Sequence, residues 1–176
     1  MAVAAVPPSP SMDGGRIRAI AFVLRCSGAA TAAYEPASVL GLPEALWATM
    51  SAVIVSQERL PETRSSLTGR ILGTLLGIAV TVLVSEVASP AAAPTAAQMA
   101  VAVAICAIVA HLFPGLRVAM WTCPIILLTA EPTVSILVVA FRRGSEVILG
   151  ALVGWAFHWA TETVVAALRE TARRVD

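Results

Sequence analysis

Lysine is absent from this 176-residue chain, and all 12 of its basic residues are arginine. Charge of either sign is scarce, at 13% of residues against about 25% in soluble domains. That leaves too little to wet the outside of a globule. The net charge of +1 provides no basic surplus to meet phosphates, which excludes nucleic acid as a partner. Cysteine is limited to Cys26, Cys106 and Cys123, whose spacing matches no zinc or redox motif. They read as small, polarisable packing residues. Phosphate loops, zinc motifs, nucleophile elbows and kinase signatures are missing, so neither an enzyme nor an ATP-driven pump is expected, and no cofactor. Residues 1–15 lack a charged leader and read as a disordered tail rather than a cleaved signal peptide.

What the chain does have is apolar sequence. Hydrophobic residues make up 58% and the mean hydropathy is +0.84. Apolar runs fall at about residues 16–42, 45–56, 71–87, 98–113, 118–130 and 147–167. The breaks between them carry Pro, Gly or charge. Segments of alternating polarity, the mark of a barrel, are missing. In lipid every backbone group must be satisfied within its own span, so the runs are helices. The fold class is an all-α membrane protein with six transmembrane helices over residues 16–168 and a short cytoplasmic tail at 169–176. The first helix is expected to start near Arg25, with that side chain snorkelling to the interface.

Six crossings put Arg16, Arg18, Arg25, Arg59, Arg64, Arg70, Arg117, Arg169, Arg173 and Arg174 on one face and only Arg142 and Arg143 on the other. By the positive-inside rule both termini of this multi-pass protein are cytoplasmic.

The chain repeats itself. Trp47 recurs as Trp121, 74 positions on, and Glu58 as Glu131, 73 positions on. The Ile-Leu-Gly-Thr-Leu-Leu-Gly stretch at 71–77 recurs as Ile-Leu-Gly-Ala-Leu-Val-Gly at 148–154. Three spans per copy is odd, so the copies should be inverted, as in many secondary transporters.

The second and fifth runs are too short to cross a bilayer alone. Pro43 immediately precedes the second and Pro124 lies inside the fifth. Short or Pro-interrupted segments in matching places point to a transport site. Candidate substrate contacts there are Gln57, Trp47 and Trp121, with Arg70, Arg142 and Arg143 at or just before the starts of the third and sixth helices. At such starts free N–H groups and the helix dipole favour anions. A guanidinium adds bidentate bonds to a carboxylate. Arg142 can instead pair with Glu146 one turn on. Glu58 and Glu131 are candidate proton carriers. His111 and His158 read as interfacial or packed, and the tryptophans also fit interfacial belts. Gly69, Gly73 and Gly77, with Gly150 and Gly154, should let helices approach closely, either third against sixth or across a dimer interface.

Leu46-Trp47-Ala48-Thr49 through Val55-Ser56-Gln57, followed by Arg70-Ile71-Leu72-Gly73-Thr74-Leu75-Leu76-Gly77, resembles the fusaric acid resistance family. This is the aromatic acid exporter group, to which the plant aluminium-activated malate transporters are related. The resemblance implies a six-helix inner-membrane domain that exports carboxylated, often aromatic, compounds on the proton gradient. The matching positions are Trp47, Gln57, Arg70, Gly73, Thr74 and Gly77. A chain of this size is expected to act as a homodimer or higher oligomer in the bilayer. A passive organic-anion channel and a non-transporting membrane subunit remain alternatives.

Overall fold

The structure, a computed structural model, describes residues 12–56, 60–131 and 133–175. Six α-helices follow one another: α1 Met12–Val39, α2 Ala45–Val55, α3 Leu60–Ala88, α4 Thr95–Leu112, α5 Val118–Leu128 and α6 Ile136–Val175. Short 3-10 turns at Ser89–Ala91 and Pro114–Leu116 carry Pro90 and Pro114, which cannot continue a helix ladder. No strand occurs among the described residues. Two helical stretches, Arg64–Ala91 and Thr95–Leu112, are long and apolar enough to cross a bilayer. By contrast α2 and α5 have 11 residues each. At about 1.5 Å per residue they extend roughly 16 Å, half of a hydrocarbon core.

Packing is inside-out relative to a water-soluble bundle. Two of the three buried apolar clusters are made of small residues, Ala29, Ala33, Ala37, Ala48 and Ala52 in one and Ala102, Cys106, Ala119 and Cys123 in another, while Ile126, Val139 and Ala140 form the third. Large apolar side chains such as Val87, Trp121 and Phe141 point outward, each at least 70% exposed. A solvent of lipid tails explains both halves of this pattern. Apolar exposure then costs nothing, and helices associate through close backbone packing.

The glycines set that packing. A Cβ on Gly150 or Gly154 would meet the backbone of Ala48 or Ala52, so α6 lies directly on α2. Gly69, Gly73 and Gly77 face Gly115, the Val118–Ala119 pair and Thr122 in the same way, which seats α3 on α5. These contacts replace the expected third–sixth glycine contact. The residue numbers rise together in both pairs, so α2 runs parallel to α6 and α3 parallel to α5. Gly28 against Phe157 and Arg25 near Glu162 make α1 antiparallel to α6, bringing Met12 and Val175 to the same end.

Three starts differ from expectation. Both α3 and α6 begin 11 residues before the apolar runs at 71 and 147. The added stretches carry Arg64 and Arg70 in α3 and Arg142, Arg143 and Glu146 in α6, charge that in a hydropathy reading marks a loop. Here Arg70, Arg143 and Glu146 are spent on helix–helix contacts instead. Arg70 and Arg143 therefore lie well inside helices rather than at their starts, and the dipole argument for them does not hold. The α1 helix likewise starts at Met12, and Arg25 is 3% exposed within the bundle, not snorkelling.

Candidate functional site

The turn between α1 and α2 ends in Pro43-Glu44, and Glu44 caps α2. Its backbone N–H donates to Glu146 Oε1 at 2.9 Å, so a carboxylate from α6 meets a free N–H at the start of α2. Helix starts favour negative charge there. The anion-favouring helix terminus is thus that of α2.

Arg143 of α6 ties this corner together. Its Nη2 lies 2.9 Å from Glu44 Oε1, and its Nη1 donates to Glu44 Oε2 at 3.1 Å and to Glu146 Oε2 at 2.8 Å. The Trp47 indole N–H also donates to Glu44 Oε2, at 2.8 Å. The guanidinium lies over the Trp47 ring, 5.3 Å from its centroid, in cation–π range. Arg143 is buried and Glu146 fully so, whereas the Glu44 side chain is 43% exposed. The Arg143 hydrogen bond is the largest influence on Glu44 and lowers its pKa, against an opposing effect of burial. The Trp47 hydrogen bond and the Arg143 charge lower it further. A cleft of about 50 Å³ opens beside this cluster, lined by Pro43, Glu44, Thr129, Glu131, Val134, Val139, Arg142 and Arg143.

A second polar contact lies about two turns along α2. Arg70 Nε donates to Ser51 Oγ at 2.8 Å, and Ser51 Oγ donates to the Val147 carbonyl at 2.7 Å. One hydroxyl thereby joins α2, α3 and α6. Arg70 and Arg143, from different helices, both converge on α2.

Residues 29–157 match the sequence family described as fusaric acid resistance protein-like. The chain belongs to that family. No curated protein and no solved structure matches it. Members of the fusaric acid resistance protein-like family are membrane transporters rather than enzymes. The bundle, with its apolar exterior and two long apolar helices, is in keeping with a membrane setting and an efflux-type role.

Of the expected site residues, the structure brings Trp47 and Arg143 together and sets Arg70 on Ser51, four residues further along α2 from Trp47. Arg142 and Glu131 are exposed and line the cleft. Glu146 pairs with Arg143, three residues back, and not with Arg142. Trp121 is 70% exposed on the outside of α5, so the two matching tryptophans have unlike surroundings. His111 is exposed at the end of α4, and His158 is fully buried in α6. Gln57 and Glu58 lie outside the described residues. Sequence reasoning missed Glu44. Its signal was an acid placed between Pro43 and the first residue of an unusually short apolar helix.

Proposed function

We propose that the protein exports organic carboxylate anions, aromatic ones included, across the bacterial inner membrane, driven by the electrical part of the proton-motive force. The observation that carries this reading is the unequal burial of the two carboxylates on Arg143. Glu146 is sealed in, while Glu44 stands partly in the cleft. An incoming carboxylate can take the Nη1–Nη2 edge from Glu44, the fork geometry being the same for both. The Trp47 ring beneath the guanidinium helps hold that edge in place. Displaced Glu44 turns to water still ionised, so no proton need accompany the substrate. An interior-negative potential then favours expulsion by about 2.3 kcal/mol per charge per 100 mV.

Two inverted three-helix halves fit this reading. The buried face of α2 (Ala48, Ser51, Ala52, Val55) and that of α5 (Ala119, Thr122, Cys123, Ile126) share one pattern, 71 positions apart. Each short helix seats the glycine helix of the other half, and α2 and α5 run in opposite directions. Such pairs of short helices commonly frame the site of a secondary transporter. A cytoplasmic location for both termini accords with the arginine count of the two faces.

The test uses proteoliposomes loaded with labelled benzoate, under a potassium diffusion potential. Protein-dependent benzoate exit that grows with an interior-negative potential is expected. Benzoate exit that is unaffected by potential, or no exit with folded protein, would overturn the proposal.

A further inference from the structure

At the far end of α2, a third arginine is built into the bundle with its best binding edge unused. Arg25 of α1 is 3% exposed, and neither Nε nor Nη2 has a hydrogen-bond partner among the described residues. Its ion pair is a long one, Nη1 to Glu162 Oε1 at 3.8 Å, and Glu162 is half-exposed. The Phe22 ring, 5.4 Å away, gives it one cation–π contact. A buried guanidinium so poorly matched is costly unless something else completes it. The Nε and Nη2 hydrogens point the same way, and together they form the side-on fork that grips a carboxylate.

Its place along α2 gives this edge a meaning. The neighbouring Cys26 thiol lies 4.0 Å from the carbonyl of Ser56, the C-cap of α2, so Arg25 stands at the end opposite Glu44 and Arg143. Twelve residues separate the two ends, about 18 Å at helical rise. Arg70 touches Ser51 between them. Arginines of α6 and α3 thus meet one short helix at its start and its middle, and Arg25 of α1 stands next to the residue that meets its end.

We propose that Arg25 is a second anion-binding position, taking an organic carboxylate on its Nε–Nη2 edge at the end of α2 remote from Arg143. The position rests on the transport reading above for its purpose, but not for its chemistry. Glu162, on Nη1, does not occupy that edge, but its negative charge beside the same guanidinium opposes an incoming carboxylate.

Protein labelled with ¹⁵N at arginine and held in detergent micelles is titrated with benzoate, following the Arg25 Nε–H resonance, assigned by its loss in Arg25→Lys. A saturable shift is expected, with Glu162→Gln tightening the half-saturation about threefold or more. In vesicles, Arg25→Gln should raise the half-saturation for benzoate presented at the Arg25 end about tenfold, and at the Arg143 end less than twofold. An Arg25 resonance indifferent to benzoate in wild type and Glu162→Gln alike overturns the proposal, even if Arg25→Gln fails to fold. Binding at Arg25 without any vesicle flux upholds this position and sinks the transport reading instead.

Discussion

Arg143 holds Glu44 through both terminal guanidinium nitrogens, at 2.9 and 3.1 Å, across 99 residues of chain. This pairing fixes the start of α2 to the first third of α6. It also leaves one carboxylate, Glu146, with no route to water. The energetics of the site follow from that inequality.

Arg143→Gln strands Glu146 as a buried charge, a loss on the order of 3–5 kcal/mol. Glu44→Gln keeps Arg143 on Glu146 and removes only a partly exposed partner, about 1 kcal/mol or less. Thermal unfolding in detergent should order the variants wild type, Glu44→Gln, then Arg143→Gln. Equal losses for the two would contradict the burial difference.

Acid should weaken the same corner in a defined window. Arg143 holds Glu44 below its ordinary 4.5, so the folded state prefers the ionised carboxylate. Its contribution is complete above pH 4.5 and is lost as pH falls through the lower, folded value. Comparing the acid limb of stability in wild type and Glu44→Gln isolates this share. The variant should lack it.

Glycine substitutions grade the helix contacts. Gly150→Ala drives a methyl group into the backbone of Ala48, which cannot step aside. Overpacking of this kind costs roughly 1–3 kcal/mol. Gly144→Ala meets only the flexible end of Ile78, and Gly115→Ala meets nothing within 4 Å. Unfolding midpoints should fall most for Gly150→Ala and least for Gly115→Ala.

Arg142 and Arg70 separate surface from interior. Arg142 is exposed, so Arg142→Ala should change stability by no more than about 0.5 kcal/mol. Arg70→Ala removes the donor to Ser51 between α2 and α3 and should depress benzoate flux at least tenfold in the vesicle assay. Similar flux in the two variants would detach Arg70 from the path.

The thiols of Cys106 and Cys123 face each other at 3.4 Å between α4 and α5. A membrane-permeant oxidant should join them and leave Cys26 free, as peptide mapping after cleavage between the two helices would reveal. Linkage through Cys26 instead would contradict the packing of α4 on α5.

Hydropathy made the six helices legible, because lipid demands apolar length and because Pro43, Pro90, Pro94 and Pro114 punctuate the gaps. It failed at the starts of α3 and α6. A one-dimensional profile cannot distinguish a charge facing water from one facing another helix, and Arg70, Arg143 and Glu146 are of the second kind. Trp47, Arg70 and Arg143 were visible as odd residues in apolar surroundings. Glu44 was not joined to Arg143 or Glu146, since contacts across 99 and 102 residues leave no local trace. The glycine spacing signalled close approach correctly but carried no information about the partner, which proved to be the short helix of the opposite half.

Because Gly150 and Gly154 form the seat of α2, an early-made segment waits for one of the last. During synthesis, Ala48 and Ala52 leave the ribosome about a hundred residues before the surface that covers them. Until α6 arrives, an 11-residue helix too short to cross the bilayer has no permanent neighbour on that side. A nascent chain stopped after α5 should therefore stay open along α2 and be a preferred substrate for membrane proteases.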